Sequence, residues 1–153
     1  MSITVSLKKT ESIAYSLRSS KMGQRKILVF STEKVSDPAI DLAGLLKKHY
    51  PSTVYTISVP CSSCVKPRWI MHAYAQGFDG VFIAADGTDC AHGESCGEKT
   101  SHIVQITHQL MRDKGLKPAQ LKMAAICSVC AEPFVKHITT FMGELEKLKQ
   151  ETN

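Results

Sequence analysis

Four short apolar runs, each followed by a stretch of helical periodicity, constrain the fold of this chain more than any other feature. The first run is Lys26-Ile-Leu-Val-Phe30; the second is built on Val54, Ile57 and Val59; the third and fourth cover residues 80–84 and 121–126. Runs this short and this continuously apolar suit strands buried on both faces of a parallel sheet. Parallel neighbours need crossovers, so helices must lie between them. Asp37 before Pro38 predicts the start of the first helix, and Tyr50-Pro51 its end. Its inner face is Ile40, Ala43 and Leu46, with Leu42 and Leu45 beside them. The second helix begins near Pro67, buries Ile70, Ala73 and Tyr74, and is capped at Gly77. The third, from about Lys99 to Gly115, carries Ile103, Ile106, Thr107, Leu110 and Met111 at helical spacing. Phe134, Val135, Ile138, Phe141, Met142 and Leu145 mark the fourth.

This alternation predicts an α/β fold: a flavodoxin-like three-layer domain with a four-stranded parallel sheet in the order 2-1-3-4, spanning residues 25–153. Residues 1–24 read as an N-terminal arm. Within it Ile3, Val5 and Leu7 alternate with polar residues, which suits either an edge strand or disorder.

Each predicted strand except the first is followed by cysteines. Cys61 and Cys64 come after the second, Cys90 and Cys96 after the third, and Cys127 and Cys130 after the fourth. In an open α/β sheet these strand ends share one edge, where such folds bind ligands. All six cysteines are therefore expected on one rim. Cys61-Ser-Ser-Cys64 and Cys127-Ser-Val-Cys130 have the spacing that lets two thiolates reach one metal or one cluster iron. The loop from Asp86 to Gly97 is long enough to fold over them.

An iron–sulfur cluster on this rim is the favoured reading. Zinc, with His92 replacing one cysteine, is an alternative; so is a thiol–disulfide centre at either Cys-x-x-Cys pair. Any single cysteine is by default an inert core residue, but six on one rim argue against that. The second and fourth strands would lie about 14 Å apart, three strand spacings. The third and fourth are neighbours, so Cys90 or Cys96 is expected to join Cys127 and Cys130, while Cys61 and Cys64 must bridge over the first strand. Four ligands are not singled out from the six. His102 and His108 fall off the apolar stripe and are expected in solvent. Trp69 is expected to pack locally, and Asp86 and Asp89 to shape a turn.

Other functions are disfavoured. No run approaches the ~20 apolar residues of a membrane helix. The formal charge of +5 is not concentrated on one helix, and aromatics are scarce among the basic residues, so nucleic acid is not an expected partner. No secretory signal is apparent at the start, and grouped cysteines without export suit a reducing compartment, so a cytoplasmic setting is expected. The loop after the first strand, residues 31–36, has no glycine for close phosphate approach, so FMN is not expected. No dinucleotide fingerprint is present.

Residues 26 to 148 resemble the delta subunit of methyl-viologen-reducing hydrogenase, an iron–sulfur family associated with heterodisulfide reductase. The resemblance is carried by Lys26-Ile-Leu-Val-Phe30, Asp41-Leu-Ala-Gly44, Val59-Pro-Cys-Ser62, Val65-Lys-Pro67, Gly77-Phe-Asp-Gly-Val81 and Asp89-Cys90. It implies an electron-transfer subunit with a 2Fe-2S cluster (4Fe-4S being the second choice), with Cys61 and Cys90 matching family cysteines. The implied partner is a flavin-containing heterodisulfide-reductase-like subunit or a hydrogenase subunit. Analogy extends this to sulfur metabolism outside methanogenesis. The family usually has a cysteine cluster after the first strand, where this chain has residues 31–37, and another cysteine near Ala85 or Asp86. Cys64, Cys96, Cys127 and Cys130 stand where the family pattern does not require them. A rearranged cluster site is the simplest account, and cluster-free thiol chemistry the alternative.

Overall fold

The computed structural model describes residues 25–151. The arm expected at residues 1–24 lies outside the described residues. Strands β1 (Ile27–Thr32), β2 (Val54–Val59), β3 (Gly80–Ala85) and β4 (Leu121–Ala125) form one parallel sheet in the order β2-β1-β3-β4. The expected order 2-1-3-4 is therefore the observed one. β1 and β3 occupy the centre and are buried along their whole length, as their unbroken apolar sequences require. β2 pairs only with β1, and Tyr55 and Ile57 stay half exposed on it.

Helices α1 (Ser36–Leu45), α2 (Pro67–Ala75), α3 (Cys96–Asp113) and α4 (Ala131–Gln150) cover the two faces. On one face Ile27, Val29, Phe82 and Ala84 of the sheet meet α1 and α4, through Ile40, Ala43, Phe134, Ile138 and Phe141. On the other, Leu28, Phe30, Val81 and Ile83 meet α2 and α3, through Ile70, Ala73 and Met111. The sorting follows from handedness. The step from β1 to β2 runs one way across the sheet, while β2 to β3 and β3 to β4 run the other. Right-handed crossovers then put α2 and α3 on the face opposite α1. α4 sits so close to the start of β3 that a Cβ on Gly80 would lie 2.6 Å from Leu145 Cδ1 and 2.8 Å from Phe141 Cζ.

The helix ends refine the sequence reading. α2 and α3 close at Gly77 and Gly115, both with positive φ, as expected. α1 stops at Leu45 rather than continuing to Tyr50. Lys47 takes the left-handed conformation (φ 53°), and the amides of Lys47 and Lys48 donate to the carbonyls of Gly44 and Ala43. The paired bonds of a glycine cap thus form on a lysine. Leu45 and Leu46 are left exposed, and Tyr50 packs edge-on against Phe134 instead. α1 also starts one residue before Asp37, whose carboxylate accepts a hydrogen bond from the Ser31 hydroxyl (2.7 Å) rather than capping the helix. α3 starts at Cys96, earlier than Lys99, and its buried residues are Cys96, Thr100, Thr107 and Met111. That rotation exposes Ile106 and Leu110 and leaves His108 half-buried rather than in solvent. Trp69 stacks over Phe30, as local packing predicts.

Candidate metal centre

Three of the six cysteines meet. Cys61 leaves β2 in extended conformation and opens a short turn, Ser62–Cys64, that leads into α2. Cys90 follows the turn Gly87–Asp89 beyond β3, and Cys96 is the first residue of α3. Because α2 and α3 pack side by side, the N-terminus of α3 lies against the turn preceding α2. That neighbourhood carries Cys61 over the end of β1. Its Sγ lies 2.7 Å from Cys96 Sγ and 3.7 Å from Cys90 Sγ, and all three sulfurs fall within 4.8 Å of one another. All three residues are buried and form a cluster apart from the two main cores.

Hydroxyls support the triad from behind. Ser62, fully buried, places its Oγ 3.5 Å from Cys96 Sγ and 2.8 Å from Thr100 Oγ1, and Thr100 donates to the Cys96 carbonyl. Ser63 Oγ lies 3.1 Å from Cys61 Sγ. Burial pushes the Cys90 thiol up to about 12, and its neighbours Cys96 and Cys61 add to the rise against a lowering backbone bond from His92. Burial also raises Cys96, but hydrogen bonds from Cys61, Ser62, the Ser63 backbone and Cys90 outweigh it and bring this thiol down to about 6. Its place at a helix N-terminus acts in the same direction. The arrangement therefore favours the thiolate at Cys96 and the protonated thiol at Cys90.

The residues fit a soft metal or a cluster iron. Thiolate sulfur is the donor that zinc and iron–sulfur centres prefer. The 3.7 Å between Cys61 and Cys90 is close to the roughly 3.8 Å separating two thiolates on one tetrahedral ion with bonds of about 2.3 Å, whereas Cys96, 2.7 Å from Cys61, would have to draw back to share that ion.

The other three cysteines stand apart. Cys64 is free and exposed, because the turn that directs Cys61 inward carries Cys64 outward. Cys127 and Cys130 are joined to each other as a disulfide. They lead into α4 on the opposite face of the sheet, so Cys90 and Cys96 meet Cys61 and not the nearer strand's pair. Strand spacing alone pointed to the other partner; helix layering decides. Ser62 and Thr100 were not singled out from the sequence. Their signals were a serine beside a candidate ligand and a threonine one helical turn beyond Cys96.

The end of β1, where the resemblance implies cysteines, holds a buried polar network. The Thr32 hydroxyl donates to the Asp86 carboxylate and lies 3.0 Å from Ser36 Oγ, which donates to the Ala84 carbonyl at 2.8 Å. The Thr32 amide donates to Ser36 Oγ and the Ser36 amide to Thr32 Oγ1, at 2.7 and 3.1 Å. Asp86 thus braces the rim, consistent with a turn-shaping role. Two clefts among the described residues, about 900 Å³ beside α4 and about 770 Å³ over β2 and α2, have no cysteine in their walls. Among the described residues no helix is long and apolar enough to cross a membrane.

Comparison with known proteins bears on this rim. The family model for methyl-viologen-reducing hydrogenase, delta subunit, matches residues 27–149. The chain is 30% identical over 110 residues to an F420-non-reducing hydrogenase iron-sulfur subunit from Archaeoglobus profundus, covering 72% of this chain and 80% of that one. It is 26% identical over 123 residues to the vhu iron-sulfur subunit of the F420-non-reducing hydrogenase from Methanocaldococcus jannaschii, covering 80% and 91%. It is also 28% identical over 122 residues to one subunit of the ferredoxin:CoB-CoM heterodisulfide reductase from Methanosarcina mazei. There the match covers 80% of this chain but only 15% of the longer protein.

Proposed function

The chain belongs to the methyl-viologen-reducing hydrogenase delta-subunit family, and from that premise we propose that it is an iron–sulfur electron-transfer subunit of a heterodisulfide-reductase-like redox complex. The observation that carries this reading is the convergence of Cys61, Cys90 and Cys96 within 4.8 Å at a buried point of the rim. These three would hold the cluster, with Cys64 on the adjoining turn as the nearest further candidate in sequence. Cys127 and Cys130 could join the ligand set only after their disulfide opened. A 2Fe-2S cluster is the favoured type, and when bound it would supply a one-electron couple. The chain's own contribution is to bury the sulfurs, hold Cys96 as a thiolate and keep the centre in surface loops, within reach of a partner.

The partner in this reading is a flavin-containing heterodisulfide-reductase-like subunit or a hydrogenase subunit. Support comes from the relative in which a counterpart of this chain forms 15% of a longer heterodisulfide reductase polypeptide, so the two parts are joined in one chain there. A cytoplasmic setting and a role in sulfur metabolism complete the proposal.

A mononuclear zinc site is the second reading, favoured by the tetrahedral-size spacing of Cys61 and Cys90. Iron, zinc and acid-labile sulfide analysis of anaerobically purified protein decides between them. Iron with sulfide supports the proposal. Stoichiometric zinc supports the second reading. Protein that contains neither, even after anaerobic reconstitution, refutes both.

A further inference from the structure

The triad leaves one pair of sulfurs unused. Cys127 and Cys130 form a disulfide across a four-residue turn that ends immediately before α4, a helix running from Ala131 to Gln150. A bridge over so short a loop is the least effective kind for stabilising a fold, because there is little loop entropy to remove. Its position suits chemistry better. Both cysteines are only half-buried, Ser128 between them is exposed, and Val129 is 76% exposed. The two sulfurs differ in surroundings. Cys130 packs against the core formed by α1, α4 and the sheet, and the Phe134 amide donates to its carbonyl in the first turn of the helix. Cys127 is not part of that core. A thiolate left at Cys130 would sit at the N-cap of α4, whose amides and dipole stabilise it as a leaving group.

We propose that Cys127–Cys130 is a redox-active disulfide that accepts two electrons from a dithiol by thiol–disulfide exchange, as a second centre separate from the triad. A thiolate of the dithiol attacks Cys127 Sγ, the sulfur of the residue outside that core. The Cys127–Cys130 bond breaks and its electron pair leaves on Cys130 Sγ, giving a mixed disulfide at Cys127. The second thiolate of the donor then attacks its own sulfur in that mixed disulfide and releases Cys127. The donor departs as a disulfide, and two electrons and two protons remain on Cys127 and Cys130. Exposed Val129 offers an apolar contact beside the attacked sulfur.

The test uses the full chain in buffers of graded dithiothreitol or glutathione redox ratio, followed by acid quench, alkylation and peptide mass analysis. Cys127 and Cys130 should be reduced together in the folded protein and reoxidised together by oxidised glutathione. In Cys130→Ser, glutathione should be trapped on Cys127 at least tenfold more than on Cys130 in Cys127→Ser. Cys61→Ser should leave this exchange unchanged, which separates it from the cluster reading. The proposal is overturned if the pair is reduced only after denaturation, or if the two single variants trap equally. It is also overturned if substituting either residue removes iron and sulfide from the reconstituted protein. Reversible reduction of the wild-type chain remains decisive if a variant fails to fold.

Discussion

Cys61 and Cys96 are 35 positions apart and follow different strands, yet their sulfurs lie 2.7 Å from each other. The contact exists because α2 and α3 share a face of the sheet and begin side by side. The triad is thus built from two helix starts and one intervening loop.

Serine substitution should separate the cysteines into classes. Cys61→Ser, Cys90→Ser and Cys96→Ser should each lower iron content after anaerobic reconstitution at least about tenfold, since loss of even an outer-sphere partner costs about that much. Cys64→Ser should have a smaller effect, because Cys64 is exposed and outside the triad. Iron and sulfide per chain, with visible absorbance, measure this. Equal retention in all four variants would contradict the triad as the ligand site.

Stability of the reduced, metal-free chain should peak near the ordinary thiol value of 9. Cys96 has its folded value lowered to about 6, so its contribution is complete above 9 and is lost as pH falls towards 6. Cys90 has its folded value raised to about 12, so its contribution is present below 9 and is lost as pH rises towards 12. Each limb has a slope of at most about 1.4 kcal/mol per pH unit for one proton. Urea midpoints measured from pH 6 to 10 should show the maximum, and Cys96→Ser should flatten the acid limb and weaken the alkaline one, because Cys96 also helps raise Cys90.

Thr32→Val should destabilise the fold by about 2 kcal/mol, because the buried Asp86 carboxylate loses its hydroxyl donor and Ser36 loses a partner. Urea denaturation reads the loss. An unchanged midpoint would show that this network does not brace the rim.

Gly80→Ala should cost about 1–3 kcal/mol, since its methyl group would meet Leu145 and Phe141 of α4 below contact distance. The same denaturation measurement applies, and a neutral result would mean that α4 shifts freely over β3.

The sheet was legible because its signal is local. Continuous apolar runs gave the strands, and Gly77 and Gly115 gave two helix ends. Where the sequence reading departed from the structure, the deciding interaction was not local. Lys47 caps α1 in a conformation that glycine usually supplies, so no glycine marked the stop. The buried stripe of α3 runs through Cys96, Thr100 and Thr107, polar residues that a hydrophobic pattern passes over in favour of Ile106 and Leu110. The shared rim of the cysteines follows from strand polarity. Which of them meet depends on which face each following helix covers, and strand spacing carries no information about that.

The order of elements along the chain also sets an order of manufacture. Every segment that gathers Cys61, Cys90 and Cys96 lies before residue 114, whereas Phe134, Ile138 and Phe141, which close the opposite face of β1 and β3, come from the last helix. A chain growing from its N-terminus therefore holds all three sulfurs before it owns the core that fixes the strands beneath them. Until α4 is complete, that face is covered by α1 alone and the strands beneath the triad lack the packing of Phe134, Ile138 and Phe141. A centre beside one pair of helices thus depends on the helix that covers the other face, and any cofactor can be seated firmly only after α4 has docked.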